Sequence, residues 1–159
     1  MTSEELGFKS RAIYLADHAV VESGKLYVHG AYVSRLNLPA FPSGYPMSVV
    51  AAVEVPWRAY QEDHTLTIQL LDADGGQLPL TIEGSFRVGA DPSMHRGDPT
   101  VMPFAAMVPL PLERPGDYAL ALLVDGIEPD RWPFRAQLSI TMASPPAAGP
   151  RPDDGPGGS

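Results

Sequence analysis

Residues 132–142, WPFRAQLSITM, decide the fold class. Trp132, Phe134, Leu138, Ile140 and Met142 share one side of a two-residue period, and Arg135, Gln137, Ser139 and Thr141 share the other. Successive side chains of an extended chain point to opposite faces, so this pattern describes a strand with one buried and one wet face. The same period recurs at Leu80–Val88, at His64–Leu71 and at Tyr118–Val124. Two further strands are predicted at Ala12–Val21 and Lys25–Val33, joined by the turn Glu22-Ser23-Gly24-Lys25. Another spans Met47–Val55, and Thr100–Leu112 reads as an edge strand interrupted by prolines, which cannot donate to a ladder.

The connections agree with that reading. Asp72-Ala73-Asp74-Gly75-Gly76, Pro115-Gly116-Asp117 and Asp125-Gly126 are turn sequences between apolar runs. The chain has 18 prolines and 15 glycines, which excludes a helical bundle, because proline removes a donor and clashes with the preceding helical turn. The expected fold is all-β: an antiparallel, immunoglobulin-like β-sandwich of about eight strands. Pro115-Gly116-Asp117-Tyr118-Ala119-Leu120 also resembles the tyrosine corner of such sandwiches, with Leu120 where antibody domains carry a cysteine.

The 159 residues divide into an N-terminal segment at 1–10, a β-sandwich domain at 11–142 and a tail at 143–159. From Ser144 the tail is proline- and glycine-rich without a large apolar side chain, so it is expected to be disordered. The first ten residues, MTSEELGFKS, contain no apolar stretch and do not read as a secretory signal. No apolar run is long enough to span a membrane as a helix. There is no cysteine, which removes disulfides, thiolate metal sites and cysteine nucleophiles. The formal charge is −8, with the basic residues scattered, which disfavours nucleic-acid binding. A cytoplasmic, soluble protein is expected.

No nucleophile elbow, phosphate-cradling glycine loop or His-Glu-x-x-His occurs, so no catalytic residue and no cofactor is predicted. Asp72-Ala73-Asp74-Gly75 lacks the later acidic positions of a calcium loop and reads as a hairpin turn. If Ser23-Gly24 is a two-residue turn, the pairing 22:25 propagates to 18:29. That places His18 opposite His29 as a candidate metal pair lacking a third ligand. His64 and His95 have no partner at ligand spacing. The loop Leu38–Pro46 presents Phe41 and Tyr45 on a proline-stiffened connection and is the candidate binding surface. Gly89–Pro99, with Met94, His95 and Arg96 at its tip, is a weaker candidate of the same kind.

The stretch Leu15–Gly30, with Gly24-Lys25-Leu26-Tyr27 at its centre, resembles the opening of an uncharacterised bacterial family, a domain of unknown function. The order of the later motifs is also similar: Val55-Pro56-Trp57, then Leu70-Leu71-Asp72-Ala73-Asp74-Gly75, then Pro115 to Gly126 ending in Val-Asp-Gly. The resemblance covers most of residues 11–142. It implies a class without an activity, since the matching positions are turn glycines, turn aspartates and packed aromatics.

The expectation for function is a non-enzymatic interaction or accessory module that binds a protein partner through loops at one end. One alternative is an enzyme or metal-binding protein whose site is assembled from dispersed His, Asp and Glu residues, with His18 and His29 as candidates. The other is a carbohydrate-binding module using Phe41, Tyr45 and Trp57 as stacking platforms.

Overall fold

A computed structural model describes residues 7–139. Ten strands follow one another: β1 Lys9–Ala16, β2 His18–Glu22, β3 Lys25–His29, β4 Arg35–Leu38, β5 Ser43–Val55, β6 His64–Leu71, β7 Gln77–Phe86, β8 Thr100–Leu112, β9 Gly116–Val124 and β10 Ile127–Leu138. The fold is all-β, with a single 3-10 turn at Trp57–Ala59 and no α-helix among the described residues. No helix among them is long and apolar enough to cross a membrane. The expected disordered tail at 143–159, and the end of the closing strand at Ile140 and Met142, lie outside the described residues.

The strands form three sheets, none of them closed. One has the order β1-β5-β8, the second β4-β10-β9-β6-β7, and the third is the β2-β3 hairpin. All pairings are antiparallel except β4 with β10. Met47, Val49, Ala51 and Val53 of β5 share one buried cluster with Leu66, Ile68 and Leu70 of β6 and Leu120, Leu122 and Val124 of β9. The three- and five-stranded sheets thus meet through a common core. Emptying one such position costs about 2–5 kcal/mol, as for a buried leucine cut to alanine.

The opposite face of β5 is covered as well. Val50 packs with Tyr14 and Ala16 of β1 and Ala19 of β2, and with Leu26 and Val28 of the hairpin. This explains why Met47–Val55 reads as a continuous apolar run rather than an alternating one. Its two polar residues are both satisfied: Ser48 Oγ accepts the Ala19 N–H at 3.0 Å, and Glu54 pairs with Arg11.

Several strand boundaries differ from the sequence expectation: β5 starts at Ser43 rather than Met47, so Tyr45 lies within the strand, opposite Leu110, and not in the Leu38–Pro46 loop. The run Ala12–Val21 breaks at Asp17, because β1 stays with β5 while the following residues leave to pair with β3 over the outer face of that sheet. The run Lys25–Val33 ends at His29: Gly30 and Tyr32 take left-handed backbone (φ 65° and 59°), which turns the chain back toward β1. A short strand, β4, was absent from the expectation; its four residues give only two buried positions, Leu36 and Leu38. Ten strands in three sheets therefore replace about eight.

β8 is an edge strand as expected, yet its pairing with β5 runs unbroken from Val55↔Thr100 to Ser43↔Leu112. Its prolines, 103, 109 and 111, share one parity. In an antiparallel ladder alternate residues point their N–H groups away from the partner strand. All three missing donors therefore fall on the free edge, where they cost no ladder bond and discourage pairing with another chain.

Candidate functional site

Strand direction fixes which loops meet. The pairings Ser43↔Leu112, Leu71↔Ala119 and Ala136↔Gly116 gather three connections at one end: residues 39–42, 72–76 and 113–115. The opposite end holds residues 56–63, 87–99 and the turn 125–126. Phe41 and Tyr45 therefore lie at the first end, while Trp57 lies at the second, beyond the other terminus of β5. The strand from Tyr45 to Val55 alone spans roughly 33 Å at about 3.3 Å per residue, and Trp57 lies beyond its end. The structure does not bring the three aromatics together.

At the first end Phe41 is half-buried and packs on the core, whereas Tyr45 is 43% exposed. Beside them a shallow depression of about 350 Å³ lies between Pro42–Gly44 and Pro111–Glu113. Pro111 and Glu113 also line a second depression of about 250 Å³. Asp72, Arg114 and Tyr118 join that one to a third, of about 120 Å³. The three are thus neighbours that share lining residues.

Its walls are held by their own polar groups. Asp72 Oδ1 accepts the N–H groups of Asp74 (2.9 Å) and Gly76 (2.8 Å), a local turn that an aspartate side chain favours. The Tyr118 hydroxyl donates to the Arg114 carbonyl four residues upstream. That is the geometry of a tyrosine corner, and it fixes the 113–115 connection. Asp117 pairs with Arg135 at 2.8 Å, which holds its carboxyl below the usual carboxylate range.

The second end carries a group that sequence reasoning missed. His64 opens β6 and is 3% exposed. Its Nδ1 lies 2.8 Å from Asp125 Oδ2, and its Nε2 lies 2.8 Å from the Ala59 carbonyl. Asp125 Oδ1 also accepts the Thr65 N–H at 2.9 Å. Phe8 and Phe86 pack against the imidazole at 4.9 and 5.5 Å. Burial opposes charge on the ring, but the Ala59 carbonyl, Asp125 and Glu62 together outweigh it, so the pKa is raised above 6.5.

A catalytic base needs a free nitrogen, and both nitrogens of His64 face acceptors within the fold. The imidazole instead ties together the 3-10 turn, the start of β6 and the 125–126 turn. The only sequence signal for it was Asp125 in its turn. In the loop 89–99, Met94 turns inward onto the core, while His95 and Arg96 are exposed. A further depression of about 660 Å³ lies between Phe8–Ser10 and Ile127–Asp130, next to the first described residues.

His18 and His29 lie directly opposite each other across β2 and β3. Ser23 and Gly24 both take positive φ (51° and 74°), the conformation that a two-residue hairpin turn requires. Both rings are exposed, with centroids 6.5 Å apart. No group of three or more metal-ligating side chains occurs among the described residues.

Comparison with known proteins adds the following. A search of curated proteins returns no significant match. Among solved structures the chain is similar to the Pseudomonas fluorescens alkylpurine DNA glycosylase AlkC, bound to DNA containing an abasic site analog. The identity is 11% and the TM-score 0.45, over 82% of this chain and 30% of that one. A likeness that slight bears on neither fold nor function. A family model described as a family of unknown function, DUF6941, matches residues 11–137, most of the chain and nearly all of its described part. The motif order read from Leu15 to Gly126 lies within that span, and the chain belongs to the DUF6941 family.

Proposed function

We propose that this chain is a non-enzymatic, cytoplasmic interaction module, an immunoglobulin-like sandwich that binds a protein partner through the loops at its Phe41–Tyr45 end. The observation that carries the reading is the clustering of three depressions, which share Pro111, Glu113, Asp72, Arg114 and Tyr118, beside the connections 39–42, 72–76 and 113–115. Prolines 42, 111 and 115, the Asp72 turn and the Tyr118 corner pre-order that surface, so little conformational entropy is lost when a partner docks. Tyr45, next in sequence to the lining residue Gly44, is an exposed aromatic at the same end, a residue type suited to contact area at low entropic cost. Asp74 and Glu113 flank the surface, which favours a partner segment combining apolar and basic side chains.

Affinity capture from the native organism tests this. Wild-type bait and an Arg96→Ala control at the opposite end should retain the same protein, and a Tyr45→Ala/Glu113→Lys bait should lose it. Retention of nothing above a blank matrix by the wild type, or equal retention by all three baits, overturns the reading.

A further inference from the structure

We propose that His18 and His29 form a two-histidine site for a divalent transition-metal ion of the Zn²⁺, Ni²⁺ and Cu²⁺ class, on the outer face of the β2-β3 hairpin. The surface is separate from the loop end and does not depend on the partner reading.

Three features build the site. First, the register is fixed: the Ser23-Gly24 turn closes at Glu22↔Lys25 and the ladder runs without a shift to His18↔His29. The two imidazoles therefore leave the same face of adjacent strands. Second, the platform is anchored. On the inward face Ala19, Leu26 and Val28 pack onto Tyr14, Ala16 and Val50, and Ser48 Oγ holds the Ala19 N–H. Third, the pair stands at the end of the ladder. Gly30 turns away at φ 65°, held by the Asp17 N–H to its carbonyl at 3.0 Å, so one flank of the rings opens to solvent. The other flank is the Val20–Tyr27 row, 44% and 48% exposed.

The rings are tilted by 32° with centroids 6.5 Å apart. With metal–nitrogen distances of about 2.0–2.1 Å, two imidazoles sharing an ion at the tetrahedral angle have centroids roughly 5 Å apart. Rotation of two exposed side chains closes that gap without moving the backbone. Imidazole suits Zn²⁺, Ni²⁺ and Cu²⁺ rather than Ca²⁺ or Mg²⁺, which demand oxygen ligands. Two protein ligands leave the remaining coordination positions to water or an external donor, so the ion is exchangeable rather than structural.

The test is calorimetric titration of the full chain with Zn²⁺ and, separately, Ni²⁺, using wild type and the His18→Gln, His29→Gln and His95→Gln variants. Wild type and His95→Gln should bind one ion with equal affinity. Each of the other variants should bind on the order of 100-fold more weakly, the loss expected when a two-point contact becomes a one-point contact. Wild-type affinity no tighter than that of His18→Gln or His29→Gln overturns the assignment. Ring NMR signals of the wild type provide a readout that needs no variant: Zn²⁺ should shift those of His18 and His29 together and leave His95 in place. Unshifted rings at His18 and His29 refute the site even if the variants lose their hairpin.

Discussion

Replacing His64 by glutamine should destabilise the fold by about 3 kcal/mol, with the loss larger at pH 6 than at pH 9. The imidazole is 3% exposed and spends both nitrogens, at 2.8 Å each, on Asp125 and the Ala59 carbonyl. A hydrogen bond to a charged group contributes roughly 1.5–3 kcal/mol net, and a neutral one about 1 kcal/mol. The Asp125 side chain stays 27% exposed, so its share belongs at the low end of that range. Lost ring contacts with Phe8 and Phe86 add roughly 0.5–1.5 kcal/mol. Glutamine recovers part of the hydrogen bonding, which brings the sum to about 3 kcal/mol, a large share of a typical domain's stability.

The pH dependence follows from the raised pKa of His64. A group whose pKa is higher in the folded state binds its proton more tightly there. Its stabilisation is complete below the unfolded value of 6.5 and disappears as pH rises through the folded value. The gap between wild type and variant should therefore narrow from pH 6 to pH 9. Urea denaturation at pH 6, 7, 8 and 9, with equal m-values for the two proteins, measures it. A gap below about 1 kcal/mol at every pH, or one that widens with pH, refutes the clamp assigned to this residue.

Two further substitutions test local devices. Tyr118→Phe removes only the hydroxyl that donates to the Arg114 carbonyl, so it should cost about 1 kcal/mol and speed amide exchange at residues 113–117. Gly30→Ala places a Cβ 2.2 Å from Asp17 Oδ2 at a φ of 65°, and should lower the denaturation midpoint. Adding Asp17→Ala removes the carboxyl but leaves the Asp17 Cβ 3.0 Å from the new Cβ, so it should recover only part of the loss, with a remainder above the roughly 1 kcal/mol of the left-handed backbone.

Period-two alternation carried the strands from Leu80, His64, Tyr118 and Trp132, because each has one face on the common core, although Leu138, read on the buried face of the last, is 52% exposed at its end. It also carried the 18:29 register, because a two-residue turn leaves no freedom in the pairing that follows. It did not carry β4, whose four residues hold only two buried positions, or the break at Asp17. There β1 is apolar on both sides, Ile13 and Leu15 toward the main core and Tyr14 and Ala16 under the hairpin, so nothing in the residues marks where one sheet is left for another. The His64–Asp125 link joins residues 61 apart in sequence and depends on β6 pairing with β9. Strand order is a property of the whole chain, and it likewise decides that Tyr45 and Trp57 lie apart while Tyr45 and Glu113 lie at the same end.

The two ends differ in how their polar groups are used, and that difference bears on where a partner would dock. At the His64 end the loops satisfy one another: the Tyr60 hydroxyl meets the Asp98 carbonyl and Thr100, the Gln61 N–H meets the Val88 carbonyl, and His64 meets Asp125 and Ala59. Groups already paired give little back when a partner arrives, because each new bond must first break an old one. At the Tyr45 end, apart from the Asp117–Arg135 pair, the internal bonds hold backbone: Asp72 accepts two N–H groups and Tyr118 donates to a carbonyl. Among the described residues the side chains of Asp74, Glu113 and Arg114 have no such partner, and they border the neighbouring depressions at that end. A scaffold rigid in its backbone with charged side chains left unspent is what directional recognition requires: shape set in advance, and charges free to choose the partner.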